Sequence, residues 1–518
     1  MNRRLVLASC APVLWMSSTV AAPVAGTACD KLVSMTIPNV QIRSATVVAA
    51  GMFQPPGAAK SLTLPQFCRI EAIARPVADS EIHFELWIPP PENWNGRFQG
   101  VGNGGYSGDL WYGSMARALH QGYATAGHDT GHAGDDMHFG QGHPEKVVDY
   151  AYRAVHVMTE ISKLLIRVQT GRFAERSYFV GCSAGGHQAL SEAQRYPEDY
   201  DGIVAGAPAN NRIRQTFGLL WSWMAAHPNG ELVLPRAKLP AITKAEVKAC
   251  DSIDGLNDGL IDDPRACHFD VATLLCKGAD DLNCLTSAQV EAVRKIHDGL
   301  KDPQTGEQIF AGWPKGSEDI GDQSWSEYIL DPPEPMRVQF FRYFLFHDPN
   351  WDWHTIQWNR DLFYAEQMLG FMQAIEPNLT PFEHHGGKLL IYAGWSDPVI
   401  PPEDTVAYYE ALEKASGGPN RTLKFARLFM APGMGHCQGG PGPNTFDVVT
   451  ALDDWVTKGH APDQLIASHT TDGQVDRSRP LCPYPQVARF KGEGSLDAAA
   501  NFVCVKPSAH TGTPAPRS

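Results

Sequence analysis

The stretch from Arg176 to Leu190 constrains the chain most. A β-prone run, Tyr178 to Val180, meets a turn of small residues, Gly181-Cys182-Ser183-Ala184-Gly185-Gly186, and a helical pattern follows to about Arg195, before Pro197. The spacing fits G-x-S-x-G, in which a serine sits on a strained strand-to-helix turn that only small neighbours permit. Such a serine projects its hydroxyl into a cleft. The N–H of Ala184, at the helix start, then points towards an oxyanion developing there. Taken alone, the same residues also suit a tight turn with an ordinary buried serine.

Other stretches supply partners. Lys388 to Tyr392 reads as a buried strand leading into Ala393-Gly394-Trp395-Ser396-Asp397-Pro398, so Asp397 stands where a strand gives way to a turn. By itself, Asp397 also fits a turn-forming Asx residue before proline. Thr422 to Met430 reads as the last strand, and the loop Ala431 to Cys437 returns His436 towards the serine; a lone loop histidine is more often a solvated surface residue. The order Ser183, Asp397, His436 is nevertheless the nucleophile–acid–base order of α/β-hydrolases. Upstream, the strand Arg97 to Val101 runs into Gly102-Asn103-Gly104-Gly105-Tyr106-Ser107-Gly108, where that fold carries its second oxyanion donor. Gly104 or Gly105 would supply the N–H, because a backbone without Cβ can approach a tetrahedral intermediate; a flexible surface turn is the alternative.

With 518 residues the chain can bury a large core, as one domain with an insertion or as two domains. The net charge of −14 is spread without long basic runs, which argues against nucleic acid or an anionic membrane as partner. Residues 1–22 read as a signal peptide, with Arg3 and Arg4, an apolar run from Leu5 to Trp15, and small residues from Ser17 to Ala22. Leu7-Ala8-Ser9-Cys10 resembles a lipoprotein box but leaves too short an apolar core before Cys10. The expectation is a secreted or periplasmic protein. Of 11 cysteines, removing Cys10 leaves an even set, which in an exported chain implies disulfides. Nearest neighbours pair Cys29 with Cys68, Cys250 with Cys267, Cys276 with Cys284 and Cys482 with Cys504. That leaves Cys182 with Cys437, each beside a candidate catalytic residue, although spacing alone does not prove a connectivity.

Strands at Phe84 to Pro89, Arg97 to Val101, Tyr123 to Gly127, Tyr178 to Val180 and Asp201 to Pro208, with a helix from Val147 to Val168 ended by Gly171, give the alternation of a parallel sheet covered on both faces. The pattern lapses from 211 to 387 and resumes at Lys388. The expected architecture is an α/β-hydrolase fold built from 23–210 and 388–518, with 211–387 inserted as a large lid domain. The loop His128 to His138, whose His128 and His132 are separated by glycine rather than helix, is expected at the cleft rim and not around a metal. Within the insertion, Cys250 to Pro264 offers Asp251, Asp254 and Asp258 as hard oxygen ligands. Gly255 and Gly259 let the chain curl so that carbonyls of Leu256 and Leu260 complete a calcium shell. An acidic turn without an ion is the alternative reading of these residues.

Three features, Gly181-Cys182-Ser183-Ala184-Gly185-Gly186, Gly-Trp-Ser-Asp-Pro around Asp397, and Gly-His-Cys ending at Cys437, resemble the tannase/feruloyl esterase family, which includes mono(2-hydroxyethyl) terephthalate hydrolases. The resemblance covers nearly the whole chain after residue 22. It implies a secreted serine esterase acting on small-molecule esters of aromatic carboxylic acids (feruloyl, galloyl or terephthaloyl) through an acyl-enzyme. It further implies a disulfide beneath the triad and a structural calcium at Asp251, Asp254, Leu256, Asp258 and Leu260. Many members resemble Tyr-His-Gly-Trp where this chain has Tyr392-Ala393-Gly394-Trp395, so Ala393 alters the surroundings of the acid. Trp353, Trp358 and Phe363 are aromatic candidates for the pocket wall, each also suited to the lid core. The alternatives are an esterase for small non-aromatic esters or lactones, and a non-catalytic binding protein of the same fold.

Overall fold

The structure, a computed structural model, describes residues 26–507. The signal peptide reading on 1–22, with Cys10, lies outside them. The strands of the central sheet are β1 (Val40–Val48), β2 (Phe67–Ala74), β3 (Ile82–Ile88), β4 (Arg97–Val101), β5 (Ala124–His128), β6 (Arg176–Cys182), β7 (Gly202–Gly206), β8 (Lys388–Gly394) and β9 (Ala426–Ala431). They lie in the order β1-β2-β3-β5-β4-β6-β7-β8-β9. From β5 to β9 all neighbours are parallel, whereas β1, β2, β3 and β5 pair antiparallel, so the sheet is mixed rather than wholly parallel. Strands β5 and β7 are buried throughout, which explains why their sequences do not alternate.

The helices that position the site are α1 (Ala154–Thr170), α2 (Ala184–Arg195), α3 (Arg212–Ala226), α4 (Leu239–Cys250), α5 (Ser287–Asp298), α6 (Pro402–Ala415) and α7 (Val448–Lys458). Adjacent residues on one strand serve opposite faces of the sheet. Phe179 and Leu389 pack with Met158, Leu165, Leu190 and Tyr409, while Tyr178 and Leu390 pack with Leu452 and Trp455. Gly171 ends α1 at φ +77°, a conformation open to glycine at no steric cost.

Strand β9 begins at Ala426, not at Thr422. Pro419–Thr422 is a helical turn, as suits a proline at a first helical position. Nor is β9 the last strand. Leu465–Thr471 pairs with Gln474–Leu481, and Val487–Phe490 pairs with Phe502–Val505, in two hairpins held by the Cys482–Cys504 disulfide.

Strands β7 and β8 are hydrogen-bonded neighbours, Gly202 opposite Lys388, so 211–387 leaves the sheet and returns to its next position. That segment builds two apolar clusters, the first shared with Tyr106, Met137, Val147 and Tyr150 of the preceding part of the chain and the second its own. One gathers Phe217, Phe340, Phe341, Phe344 and Trp351; another gathers Leu239, Ile242, Val293, Ile296, Trp313 and Trp325. The expected disulfides Cys250–Cys267, Cys276–Cys284 and Cys29–Cys68 are all formed.

Candidate active site

Ser183 caps α2 at φ +63° and ψ −120°, a strained conformation for a residue with a side chain. The strain is held by backbone bonds on both sides: Ser183 N–H donates to Gly206 O at 3.0 Å, and Ser183 O accepts from Ala209 N–H at 3.1 Å. A Cβ on Gly181 would stand 2.3 Å from Gly185 O, and one on Gly102 would stand 2.6 Å from Gly185 Cα. Glycines are therefore required where the upstream loop lies against the elbow.

Asp397 follows β8 and is fully buried. Its Oδ2 accepts from His436 Nδ1 at 2.8 Å, and its Oδ1 accepts from the N–H groups of Val399 and Ile400 at 2.8 and 2.9 Å. Asp397 thus closes an Asx turn with one carboxylate oxygen and faces His436 with the other. The Ser183 side chain makes no cap bond to α2, and Ser183 lines a cavity.

The Cys182–Cys437 disulfide joins the residue before Ser183 to the residue after His436, with Cα atoms 6.0 Å apart across a sequence separation of 255. Two loops far apart in the chain are thereby fixed in register. A Cys182→Ala/Cys437→Ala variant is expected to lose about 2–5 kcal/mol of stability. Its kcat should fall about 10–100-fold, because small misplacements of reacting groups are costly. Denaturant titration and initial rates measure the two effects; an unchanged kcat would show that the sheet alone holds the loops.

A cavity beside Ser183 is lined by Gly105, Tyr106, Arg212, Gln215, Tyr328 and Arg337, among others. Of the two oxyanion candidates in the upstream loop, Gly105 lines the cavity, while a Cβ on Gly104 would stand 2.4 Å from the Trp111 ring. Both arginines lie over Tyr106, at 4.9 Å for Arg212 and 5.0 Å for Arg337, and Arg337 is ion-paired to Asp135 at 2.8 Å. Arg212 Nε is buried without a hydrogen-bond partner.

The pocket candidates from the sequence are placed elsewhere. Trp353 packs edge-on to Trp223, Trp358 packs against Phe217 and Trp221, and Phe363 is exposed. Ala393 lies in the sheet core rather than on the cavity.

The loop expected at the rim is divided: His128 to His132 is buried, whereas Ala133 to Asp136 and His138 are exposed, and Asp135 is ion-paired to Arg337 on the cavity wall. His132 Nε2 lies 2.7 Å from Tyr106 O, and Asp135 Oδ1 accepts from Tyr106 N–H at 2.7 Å, so this loop supports the glycine loop from behind. Burial drives the His128 imidazole down to about 3, which keeps it neutral. Two further residues that sequence reasoning missed are Asn103 and Gln188. Asn103 N–H donates to Gln188 Oε1 and Gln188 Nε2 donates back to Asn103 Oδ1, both at 3.1 Å, bolting the glycine loop to α2. Their only sequence signal is a polar residue inside each of two small-residue runs.

In the insertion, the acidic loop curls on its own carboxylates. Asp251 Oδ1 accepts from the N–H groups of Asp258 and Gly259, Asp254 Oδ1 from Leu256 N–H, and Asp258 Oδ1 from Leu260 N–H. Gly255 and Gly259 take φ of +93° and +82° at its turns. Asp258 Oδ2 is held by Arg479 at 2.6 Å. Carboxylates and backbone carbonyls are the oxygen ligands calcium takes, but here the Asp251, Asp254 and Asp258 carboxylates are turned to backbone N–H groups and Arg479, and among the described residues they are not one of the groups of three that converge within 4.8 Å. Asp262, which the sequence did not single out, belongs to the same acidic group: burial, then the charges of Asp254, Asp263 and Asp258, raise its carboxyl to about 7.

Residues 68–505 match the family described as tannase and feruloyl esterase. An uncharacterized esterase of Xanthomonas campestris is 36% identical, over 93% of this chain and 92% of its own. Mono(2-hydroxyethyl) terephthalate hydrolase of Piscinibacter sakaiensis is 33% identical over the same shares. The crystal structure of feruloyl esterase B from Aspergillus oryzae superimposes with a TM-score of 0.85 at 31% identity, covering 91% of this chain and 98% of that one.

Proposed function

Because this chain belongs to the tannase and feruloyl esterase family, and is therefore a carboxylic ester hydrolase of the α/β-hydrolase type, we propose that Ser183, His436 and Asp397 cleave esters of aromatic carboxylic acids. The observation that carries this reading is the buried 2.8 Å bond between His436 and Asp397, with the serine-side and histidine-side loops joined by one disulfide.

In this mechanism Ser183 Oγ attacks the ester carbonyl while His436 Nε2 takes its proton. Asp397 accepts the Nδ1 proton, which keeps Nε2 free as base and stabilises the imidazolium. The oxyanion is received by the N–H of Ala184 and that of Gly104 or Gly105. Collapse expels the alkoxide, which takes the proton from His436, and water reverses the sequence to release the acid.

Tyr106 and Tyr328 supply aromatic walls, and Arg212 and Arg337 supply guanidinium donors, which suits an aryl acid whose ring carries oxygen acceptors. We read Asp251, Asp254 and Asp258, with the carbonyls of Leu256 and Leu260, as holding a calcium ion. When bound, that ion supplies charge compensation and rigidity to the lid. Five disulfides agree with an oxidising compartment, and we place the protein outside the cytoplasm, secreted or periplasmic.

The test is a panel of methyl gallate, methyl ferulate, mono(2-hydroxyethyl) terephthalate and p-nitrophenyl acetate, with calcium present and disulfides intact. Selective turnover of an aromatic ester is the expected result. Turnover of the activated acetate alone would sink the aromatic assignment, and no turnover would favour a binding protein. Arg212→Met should lower kcat/KM for the preferred aromatic ester about 10–100-fold, the worth of one charged hydrogen bond, while leaving p-nitrophenyl acetate within about threefold.

A further inference from the structure

Away from the cavity, the insertion buries a second constellation. Among the described residues, two groups of three bring metal-ligand atoms within 4.8 Å of one another. One is Cys276, Asp280 and Cys284, whose sulfurs are already joined to each other; the other is Glu246, His297 and Glu318. Glu246 comes from α4, His297 from α5 and Glu318 from the loop that follows Gly316. Both glutamate side chains are fully buried and the histidine is 7% exposed.

The tautomer is set from outside the group. His297 Nδ1 lies 2.8 Å from Trp313 O, and a carbonyl can only accept, so Nδ1 carries a proton and Nε2 is the ring nitrogen left to face the two glutamates. The outer carboxylate oxygens are held too. Glu246 Oε2 accepts from Gly316 N–H at 2.7 Å and Glu318 Oε2 from Thr243 Oγ1 at 2.8 Å, and Gly316 N–H also reaches Glu318 Oε1 at 3.3 Å. Three inner atoms then converge. His297 Nε2 is 3.1 Å from Glu246 Oε1 and 3.3 Å from Glu318 Oε1. Yet Nε2 and Glu246 Oε1 are both buried and neither completes a hydrogen bond, although they stand 3.1 Å apart. Atoms about 2.0–2.1 Å from a shared tetrahedral zinc stand roughly 3.3 Å apart. With a divalent cation bound, two carboxylates and a neutral imidazole sum to zero.

We infer that Glu246, His297 and Glu318 bind a zinc ion that ties α4, α5 and the Gly316 loop together inside the lid. An imidazole with carboxylates suits zinc, and three protein ligands leave one tetrahedral position for water.

The full chain, folded with zinc and calcium supplied and then desalted against a chelator, is analysed for both metals by mass spectrometry. On the order of one zinc per chain is expected, lost in Glu246→Gln, while Asp251→Asn keeps it. Protein folded with cobalt instead should show the visible absorption of a tetrahedral site. Wild-type protein with neither zinc nor that absorption would overturn the proposal in favour of a metal-free ionic cluster, as would zinc that survives Glu246→Gln. Should Glu246→Gln fail to fold, Thr243→Val, which removes the hydroxyl that donates to Glu318 and accepts from Asp319 N–H, should weaken zinc about 10–100-fold in chelator competition; unchanged affinity would overturn the site.

Discussion

Ser183→Ala is expected to lower kcat for ester hydrolysis by about 10⁶-fold, with the fold intact. Alanine keeps the Cβ already accommodated at φ +63° and removes only the hydroxyl, so the backbone bonds to Gly206 and Ala209 survive. Residual turnover would come from the oxyanion donors and from binding alone. Since serine and base act as one unit, adding His436→Ala should cost almost nothing further, which distinguishes a triad from two independent contributions. Initial rates on the best ester of the panel, beside a thermal melt, measure both. A loss below 100-fold would mean that another nucleophile does the chemistry.

Asp397→Asn should cost about 10⁴-fold in kcat, the penalty of holding the base in the wrong tautomer. The reason is specific to the geometry. Two backbone donors, Val399 N–H and Ile400 N–H, converge on Oδ1, so the amide of an asparagine must keep its oxygen there and turn its NH₂ towards His436 Nδ1. A donor facing Nδ1 places the imidazole proton on Nε2, and that nitrogen can no longer accept from Ser183. The measurement is kcat together with a crystal structure or ring-nitrogen NMR of the variant. Activity within tenfold of wild type would show that the ring is oriented by something other than Asp397.

Much of this site was legible in the sequence because its parts are local. A G-x-S-x-G run states its own steric requirement, and Gly181 meets Gly185 O whatever surrounds them. The strand-then-turn setting of Asp397 and the His436-Cys437 loop likewise depend on short stretches, and cysteine pairing follows from near neighbours plus one remainder. Failures occurred where a property belongs to packing between segments. Strand Ala426–Ala431 starts later than the residue pattern suggests, because Thr422 closes a helical turn begun at Pro419 and Leu423 to Phe425 form a turn before the strand. Trp353, Trp358 and Phe363 were reasonable wall candidates by residue type, but only the docking of the insertion decides that Tyr106 and Tyr328 line the cavity.

Sequence alone carried the G-x-S-x-G pattern, the chain order of Ser183, Asp397 and His436, an even set of cysteines and the acidic loop, since each is written in residues whose chemistry needs few neighbours; the disulfide connectivity is fixed by the structure. Tertiary structure decided which side chains face the cavity, that the His128 to His138 loop supports the glycine loop from behind, and that Glu246, His297 and Glu318 meet. Those outcomes depend on how separate elements pack against one another, and a one-dimensional pattern records the face an element buries but not the element it buries it against.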